Sequence, residues 1–487
     1  MTEHFDVLIV GAGISGIGGA FHLKDQCPER SFVVLENQEG FGGTWRTHTY
    51  PGVRSDSDLY TFGYRFKPWV GAPIASGDEI MKYLGEVIED NELDPHIRYR
   101  HEIRQTSWSS EQRRWTVQAE RLDTGELIEI TAGFLWMCQG YYNHKRPYTP
   151  SWDGMGDFQG DIVHPQTWPD DLDYRDKRVV VIGSGATAAT LIPAMANDTA
   201  HITMLQRSPT YFAVRKNSNE LADQLRSLEV PDEWTHEIVR RQVVRETAAI
   251  DMAAKAFPDM VKAELFRMAR EILGDDFDID THFTPTYRPW QQRLALIPDG
   301  DLFRAIADGK ASVVTDKIER FTPAGIQLAS GDVLEADIIV TATGFDLSVL
   351  GDVDFSVDGS PLDFSQTVTW NGAMFTGVPN MVWVFGYFRA SWTLRVDLLG
   401  DFVARLLHHM DQRDAKVVVP KLRDDDAEME LLPWVEPDNF NPGYLMRSLH
   451  QLPKQGRELP WRHVQDYVAE KEHLPAVDLD DGTLEFS

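Results

Sequence analysis

Three things are scarce in this chain, and each scarcity removes a class of function. The first is cysteine: among 487 residues only Cys27 and Cys138 carry a thiol. They form no C-x-x-C, which argues against a dithiol redox centre and a cysteine zinc site. The second is positive charge: 47 Lys and Arg against 76 Asp and Glu leave a formal net charge of -29. That balance opposes nucleic acid and anionic membrane as main partners. The third is long apolar runs. None is long enough to span a bilayer. The opening MTEHFDVLIVGAG carries acidic residues and runs straight into a strand, unlike a secretory leader. Together these features point to a reducing, cytoplasmic setting. No pattern of metal ligands is present, so no metal is expected.

What remains is a globular composition, 42% hydrophobic and 25% charged. The length exceeds one ordinary core and implies two or three domains.

The strongest local signal occurs twice. DVLIVGAGISG, Asp6 to Gly16, is a buried parallel strand followed by G-x-G-x-x-G. Gly11 permits the tight turn, Gly13 lets backbone approach a pyrophosphate, and Gly16 lets the following helix pack on the strand. Ser15 sits in the same turn, and the helix N-terminus offers free N–H groups to phosphate. The next strand, SFVVLE, ends at Glu36, twenty residues past Gly16, where a carboxylate accepts the ribose hydroxyls. In KRVVVIGSGATA the same turn recurs as Gly183, Ser184, Gly185, Ala186, Thr187 and Ala188. After it, HITMLQR puts Arg207 where the first copy has Glu36, and Ser208 follows. A guanidinium there suits a 2′-phosphate, held by forked hydrogen bonds. The plainer reading of Arg207 is a surface arginine at a strand end. Two dinucleotides in one chain imply hydride passed between them, so FAD on the first loop and NADPH on the second are the expected cofactors. EADIIVTATGF, Glu335 to Phe345, reads as a further buried strand near the nucleotides.

Two longer patterns narrow the chemistry. FQGDIVHPQTWPD matches F-x-G-x-x-x-H-x-x-x-W-P-[DG] at Phe158, Gly160, His164, Trp168, Pro169 and Asp170. An earlier stretch matches [AG]-G-x-W-x-x-x-x-[FY]-P-G-x-x-x-D at Gly42, Gly43, Trp45, Tyr50, Pro51, Gly52 and Asp56. With these, the chain resembles the class B flavoprotein monooxygenases, and within them the Baeyer–Villiger monooxygenases, over nearly its whole length. RSDSDLYTFGYRFKPW, LQRSPTY and ASWTL make it most similar to the ethionamide-activating type.

The resemblance implies an oxidation of ketones to esters or lactones by a C4a-peroxyflavin, with sulfide and thioamide S-oxidation as a side activity. The partners are then O2 and a small ketone or sulfide. Arg293 takes the catalytic position: a permanently charged guanidinium suits both a peroxide and a developing oxyanion. Asp56 is placed against it, with Arg54 and Ser55 at the nicotinamide end. Gly43, Thr44, Trp45, Tyr60 and Ile103 fall on the flavin side, and Trp392 on the substrate pocket. His164 and Trp168 anchor the hinge between the cofactor domains, stiffened by Pro165 and Pro169. One departure stands out. Relatives often have lysine before the catalytic arginine; here it is Gln292, which leaves more of the 2′-phosphate grip to Arg207 and Ser208, with Arg288 the nearest spare cation.

The expected fold is α/β, with two Rossmann-like dinucleotide-binding domains and a helical insertion. The FAD domain covers residues 1 to about 145 and 380 to 487; the NADP domain covers about 146 to 212 and 290 to 379; the insertion covers about 213 to 289, with the usual slip of a few residues at boundaries. EIVRRQVVRETAAIDMAAKAF, within the insertion, has Ile238, Val239, Val243 and Ala249 at helical spacing, with arginines opposite. It reads as a core-facing helix. The second reading is weak membrane-surface association through its basic face. Two other functions stay open: an N- or S-oxygenating monooxygenase of the sister group, which Trp168 and Arg293 argue against, and an NADPH-dependent flavin reductase or oxidase, which needs no Arg293–Asp56 pair.

Overall fold

The computed structural model of the protein describes residues 2–487. Strand Glu3–Val10 passes from exposed to buried along its length, and Val7, Leu8 and Ile9 are wholly enclosed. Burying each such side chain contributes about 1.5–3 kcal/mol. Its neighbours Phe32–Leu35 and Glu126–Met137 lie parallel to it, with Val10 opposite both Leu35 and Met137. The carboxyl ends of these strands therefore converge at Gly11, Glu36 and Cys138, the edge at which open α/β sheets bind ligands.

The first sheet runs, edge to edge, through Ser360–Pro361, Asp354–Val357, His101–Ser109, Arg114–Arg121, Glu126–Met137, Glu3–Val10, Phe32–Leu35 and Ile97–Arg98. Met381–Trp383 pairs with Glu126–Met137 off this path. The second sheet has five parallel strands in the order Ala311–Thr315, His201–Gln206, Arg178–Ile182, Ile338–Thr341 and Asp161–Val163. The architecture is thus α/β with two Rossmann-like units.

The division of the chain between the units differs from the expected one in one stretch. Asp354–Val357 pairs with His101–Ser109 of the first sheet and Ser360–Pro361 with Asp354–Val357, and Leu347, Leu350, Phe355, Phe364 and Phe375 pack in the same core as Trp108 and Trp115. The chain leaves the second sheet at Thr341 and turns at Gly344, where φ is +98°. It then pairs Phe345–Leu347 antiparallel with Tyr142–Pro147. The aromatic side chains after this turn find their apolar surroundings only on the first unit.

Between strands Phe212–Arg215 and Ala295–Pro298, which pair in parallel, lie the helices Glu220–Ser227, Asp232–Ala256, Pro258–Leu273 and Ile279–His282. Asn219 caps the first by accepting from the Ala222 N–H. In the long second helix Val239 and Val243 are buried, as their spacing requires, but Ile238 is 39% exposed and Ala249 lies at the surface. Arg240, read as part of the outward basic face, points inward and is buried. Arg241 pairs with Glu237 on its own helix. The face is therefore mixed in charge. Among the described residues no helix is long and apolar enough to cross a membrane.

Candidate active site

The first glycine loop shows why its residues are glycine. Gly11 has φ +95°, and a Cβ on Gly16 would stand 1.8 Å from the Gly11 carbonyl oxygen. No side chain caps the helix Ile14–Gln26, so its first N–H groups point free into the cleft. Glu36 is buried, with Oε2 accepting from the Ala12 N–H at 2.7 Å and Oε1 from the Gln38 N–H at 2.8 Å. Burial pushes its carboxyl above the usual range, against the lowering effect of these N–H groups. In the second loop Gly183 has φ +129°, and a Cβ there would meet the Ala342 carbonyl oxygen at 2.2 Å. Gly185 and Ala186 are exposed, the helix Ala186–Met195 is uncapped by any side chain, and Ala188 is buried against the strand. Strand His201–Gln206 ends beside this loop, with the Gly183 N–H donating to the Leu205 carbonyl, so Arg207 and Ser208 emerge exposed next to it. Ser184 hydrogen-bonds Thr210 at 2.8 Å.

A cleft runs from the first loop to the second. It is lined by Gly11, Gly13, Ser15, Glu36, Gly43, Thr44, Trp45 and Ile103 on one side, by Ala186 and Thr187 on the other, and by Arg54, Asp56, Arg293 and Trp392 between them. Gln139, at the end of strand Glu126–Met137, faces the cleft with a buried amide that has no partner at either atom. His48 also lines it, with an unpartnered Nδ1, and burial pushes its pKa down to about 4. Free helix N–H groups, an acid at a strand end and unpaired amide atoms are the donors and acceptors a dinucleotide needs. The cleft fits FAD, and the exposed second loop with Arg207 and Ser208 fits a phosphorylated nicotinamide dinucleotide.

At the centre, Nη1 of Arg293 donates to Oδ2 of Asp56 at 3.1 Å. Both side chains remain partly accessible, at 39% and 31%. Burial, the largest influence, would lower the guanidinium's pKa; the Asp56 carboxylate, joined by Tyr444, Tyr141 and Tyr142, outweighs it and holds the value well above arginine's usual one. Behind the pair opens a second cavity of about 990 Å³. Val244, Ala248, Leu265 and Met268 of the insertion helices form part of its wall, with Leu294 and Leu296 opposite. Asp56, Ser57, Arg293 and Ala390 line both spaces. The pair therefore stands at the junction between the nucleotide cleft and a largely apolar chamber.

Several sequence-predicted residues make contacts of their own that define their place. Ser55 is buried, and its hydroxyl is spent on the Ser57 carbonyl and N–H. Tyr60 has no exposed surface; it sits in the first core and accepts from Arg226 at 2.8 Å instead of facing the flavin side. Trp392 lines the nucleotide cleft, not the apolar chamber: its Nε1 donates to Ser15 Oγ at 2.7 Å and its ring stacks on Tyr141 at 5.3 Å. Arg54 reaches across to Asp301 at 2.5 Å and bridges the two units. Arg288 donates to the Asn439 carbonyl at 3.1 Å. His164 is buried, its Nδ1 accepts from the Gln166 N–H at 3.1 Å, and burial lowers its pKa. Gln166 in turn donates to the Asn143 carbonyl at 2.8 Å, and Trp168 packs on the second unit's core. Sequence reasoning missed Gln139, His48 and Tyr141. The strand end that carries Gln139 adjoins Gly11, so the switch-point rule was the available signal.

Two glycine loops that open onto one cleft, an acid ending the first strand pair and a charged pair at the junction define a two-dinucleotide oxidoreductase. The chain belongs to the FAD-containing monooxygenases of the flavin-binding monooxygenase-like family. Residues 73–225 match the family described as flavin-binding monooxygenase-like, and residues 9–69 match the NAD(P)-binding Rossmann-like domain. Over its full length the chain is 45% identical to the FAD-containing monooxygenase EthA of Mycolicibacterium smegmatis, covering 98% of that protein. It is equally similar to EthA of Mycobacterium tuberculosis (strain H37Rv), again covering 98% of it. In fold it matches an oxidized steroid monooxygenase bound to NADP, with a TM-score of 0.79 at 23% identity over 99% of both chains. It also matches an open cyclohexanone monooxygenase, with a TM-score of 0.77 at 18% identity over the whole of both chains.

Proposed function

We propose that this protein is an NADPH- and O2-dependent Baeyer–Villiger monooxygenase that converts ketones to esters or lactones. The observation that carries this reading is the Arg293–Asp56 pair, 3.1 Å apart where the nucleotide cleft meets the apolar chamber. When bound, FAD reduced by NADPH would supply the activated oxygen, one atom of O2 entering the substrate and the other leaving as water. The rest is the work of the chain. A ketone in the chamber presents its carbonyl at the junction. Arg293 donates hydrogen bonds to the negative charge that develops there, and it stays charged in a dry site where a lysine would lose its proton. Asp56 accepts from the same guanidinium, fixes its orientation and balances its charge. The apolar walls keep water from the reacting oxygen, the condition under which peroxide escape is suppressed. Arg207 and Ser208 offer a forked donor set to the 2′-phosphate, and neutral His164 with Trp168 keeps the connecting segment packed between the units. Sulfides and thioamides are the side substrates of this reading; oxidation at sulfur generates no oxyanion and so depends less on Arg293.

The deciding experiment counts NADPH consumed against products, with purified flavin-loaded protein, air, and a panel of alkyl and aryl ketones plus a sulfide. Ester equal to NADPH supports the reading. Sulfoxide without ester across the panel would favour the sister chemistry. Hydrogen peroxide alone, with no transient oxygenated-flavin spectrum on rapid mixing, would make the protein a reductase or oxidase.

A further inference from the structure

The loop that carries Arg293 is a single turn, closed by the Gln291 N–H donating to the Arg288 carbonyl at 3.0 Å and the Arg288 N–H to the Gln291 side chain at 3.2 Å. From Arg288 to Arg293 the chain is neither helix nor strand, and Trp290 lies in the left-handed region at φ +65°, an uncomfortable place for a bulky side chain. Contacts from outside the loop help to maintain it. Nε of Arg389 donates to the Trp290 carbonyl at 3.0 Å. Nη2 of the same guanidinium donates to the backbone and side-chain carbonyl oxygens of Asn439, at 2.6 and 3.0 Å. Two residues on, the Asn441 N–H donates to the Gln291 carbonyl at 2.8 Å. The Phe440 ring lies against the Arg389 guanidinium, 5.4 Å from its centroid. Asp251, on the insertion helix, faces Nε at 3.5 Å, and its Oδ1 is buried with no hydrogen-bond partner.

Arg389 is thus the buried point at which the Trp290 turn, the 439–441 segment and the insertion helix meet. It borders the apolar chamber beside Trp290 and Asp251, but its hydrogen bonds go to carbonyl oxygens of the chain, and neither the nucleotide loops nor the Arg293–Asp56 pair uses it. A planar fork of fixed charge is the side chain suited to such a multiple carbonyl anchor. The residue it holds is three positions before Arg293. If the turn relaxed, Arg293 would shift relative to Asp56, and a misplacement of about 1 Å at a reacting centre can cost on the order of 10²-fold in rate.

We propose that Arg389 is a positioning residue for oxygen transfer: through the Trp290 carbonyl it sets where Arg293 stands between the nucleotide cleft and the substrate chamber. This rests on the reading of Arg293 above.

The test uses the full-length, flavin-loaded enzyme with Arg389→Met, which keeps the length and removes every donor, and Arg389→Lys, which restores one charged donor. For Arg389→Met the NADPH KM and the rate of flavin reduction should stay within about twofold, while ester formed per NADPH falls about tenfold and hydrogen peroxide makes up the difference. Arg389→Lys should recover part of the lost coupling. Adding Arg389→Met to Arg293→Ala should cost nothing further, because the first acts through the second. Full coupling in Arg389→Met, a loss confined to NADPH KM, or a loss that adds to that of Arg293→Ala would overturn the proposal. If Arg389→Met fails to fold or to hold flavin, the coupling ratios of Arg389→Lys and Asp251→Asn decide it: both equal to wild type would overturn it. If Arg293→Ala itself forms ester normally, the reading of Arg293 falls first; if Arg293→Ala is uncoupled and Arg389→Met is not, only the positioning role falls.

Discussion

Arg240 and Asp397 form an ion pair at 3.1 Å with only 6% and 4% of their side chains exposed. Nη1 of Arg240 also donates to the carbonyls of Tyr60, Thr61 and Gly63, at 3.1, 3.3 and 2.8 Å. Asp397 accepts from the Arg65 N–H at 2.9 Å and faces His22 at 3.3 Å. The long insertion helix is thereby fastened to the segment that follows Asp56 and to the helix Thr393–Gln412.

Removing one member of this network leaves the other charge buried and unpaired. Arg240→Ala should destabilise the protein by about 3–5 kcal/mol, read from the midpoint of urea unfolding. Replacing both members together, Arg240→Met with Asp397→Leu, should cost less than the single change. A midpoint unmoved by Arg240→Ala would show that the pair contributes nothing.

Arg293→Ala should continue to oxidise NADPH but lose ester formation by about 10² to 10³-fold, the usual cost of one oxyanion donor. Hydrogen peroxide should rise in proportion. Arg293→Lys should recover little, since a point charge cannot replace the fork. Unchanged ester yield would remove Arg293 from the mechanism.

Arg207→Ala should raise the KM for NADPH about ten- to a hundredfold, the worth of a lost charge-assisted contact, and leave the KM for NADH where it was. The ratio is the readout. Equal effects on both nucleotides would sink the assignment of the 2′-phosphate to this side chain.

His236 gives the stability a pH dependence of definite sign. It is buried, and its Nδ1 accepts from the Trp69 N–H at 3.0 Å, so it must be neutral in the native state. Burial, and then the neighbouring Arg240, push its pKa from 6.5 down to about 4. As pH falls through 6.5 the unfolded chain takes up a proton that the native one refuses until about 4. The stabilisation is therefore complete above 6.5 and declines by up to about 3 kcal/mol between there and 4. Denaturation curves across that window should show the fall, and His236→Gln should make it shallower, leaving the share carried by His48, which burial also pushes down to about 4; an equally steep fall in that variant would refute the assignment.

Gly16→Ala should strip the protein of flavin, because the new methyl would need the space 1.8 Å from the Gly11 carbonyl oxygen. The ratio of flavin to protein absorbance measures this directly. Full flavin content would mean that the loop can open at no cost.

How much of this was legible in advance depended on whether a residue's surroundings are local in the chain. Each glycine loop joins a strand to the helix directly after it, Glu3–Val10 to Ile14–Gln26 and Arg178–Ile182 to Ala186–Met195, so its geometry follows from backbone sterics that any reader of the sequence can apply. The Arg293–Asp56 contact was reached through two gapped patterns, not through spacing, because 237 residues separate the partners. Tyr60, Ser55 and Trp392 were placed by the family resemblance, from their positions in matching stretches. A position in the chain does not say which way a side chain turns: Tyr60 points into the core, Ser55 closes on Ser57, and Trp392 crosses to Ser15. Arg240 misled for a related reason. A charged residue at helical spacing reads as solvent-facing until a buried carboxylate from a distant helix makes the inward position the better one.

The sequence by itself determined the two nucleotide turns, the class of protein and the residue types available at the centre, since these rest on φ constraints, charge and short-range order. Only the tertiary structure decided which of those residues share a space. It sent residues 354–361 back to the first sheet, buried Arg240, and set Arg389 behind the Trp290 turn. Each of those outcomes is a competition between burial and pairing among segments hundreds of residues apart, and that competition is settled only when the segments meet.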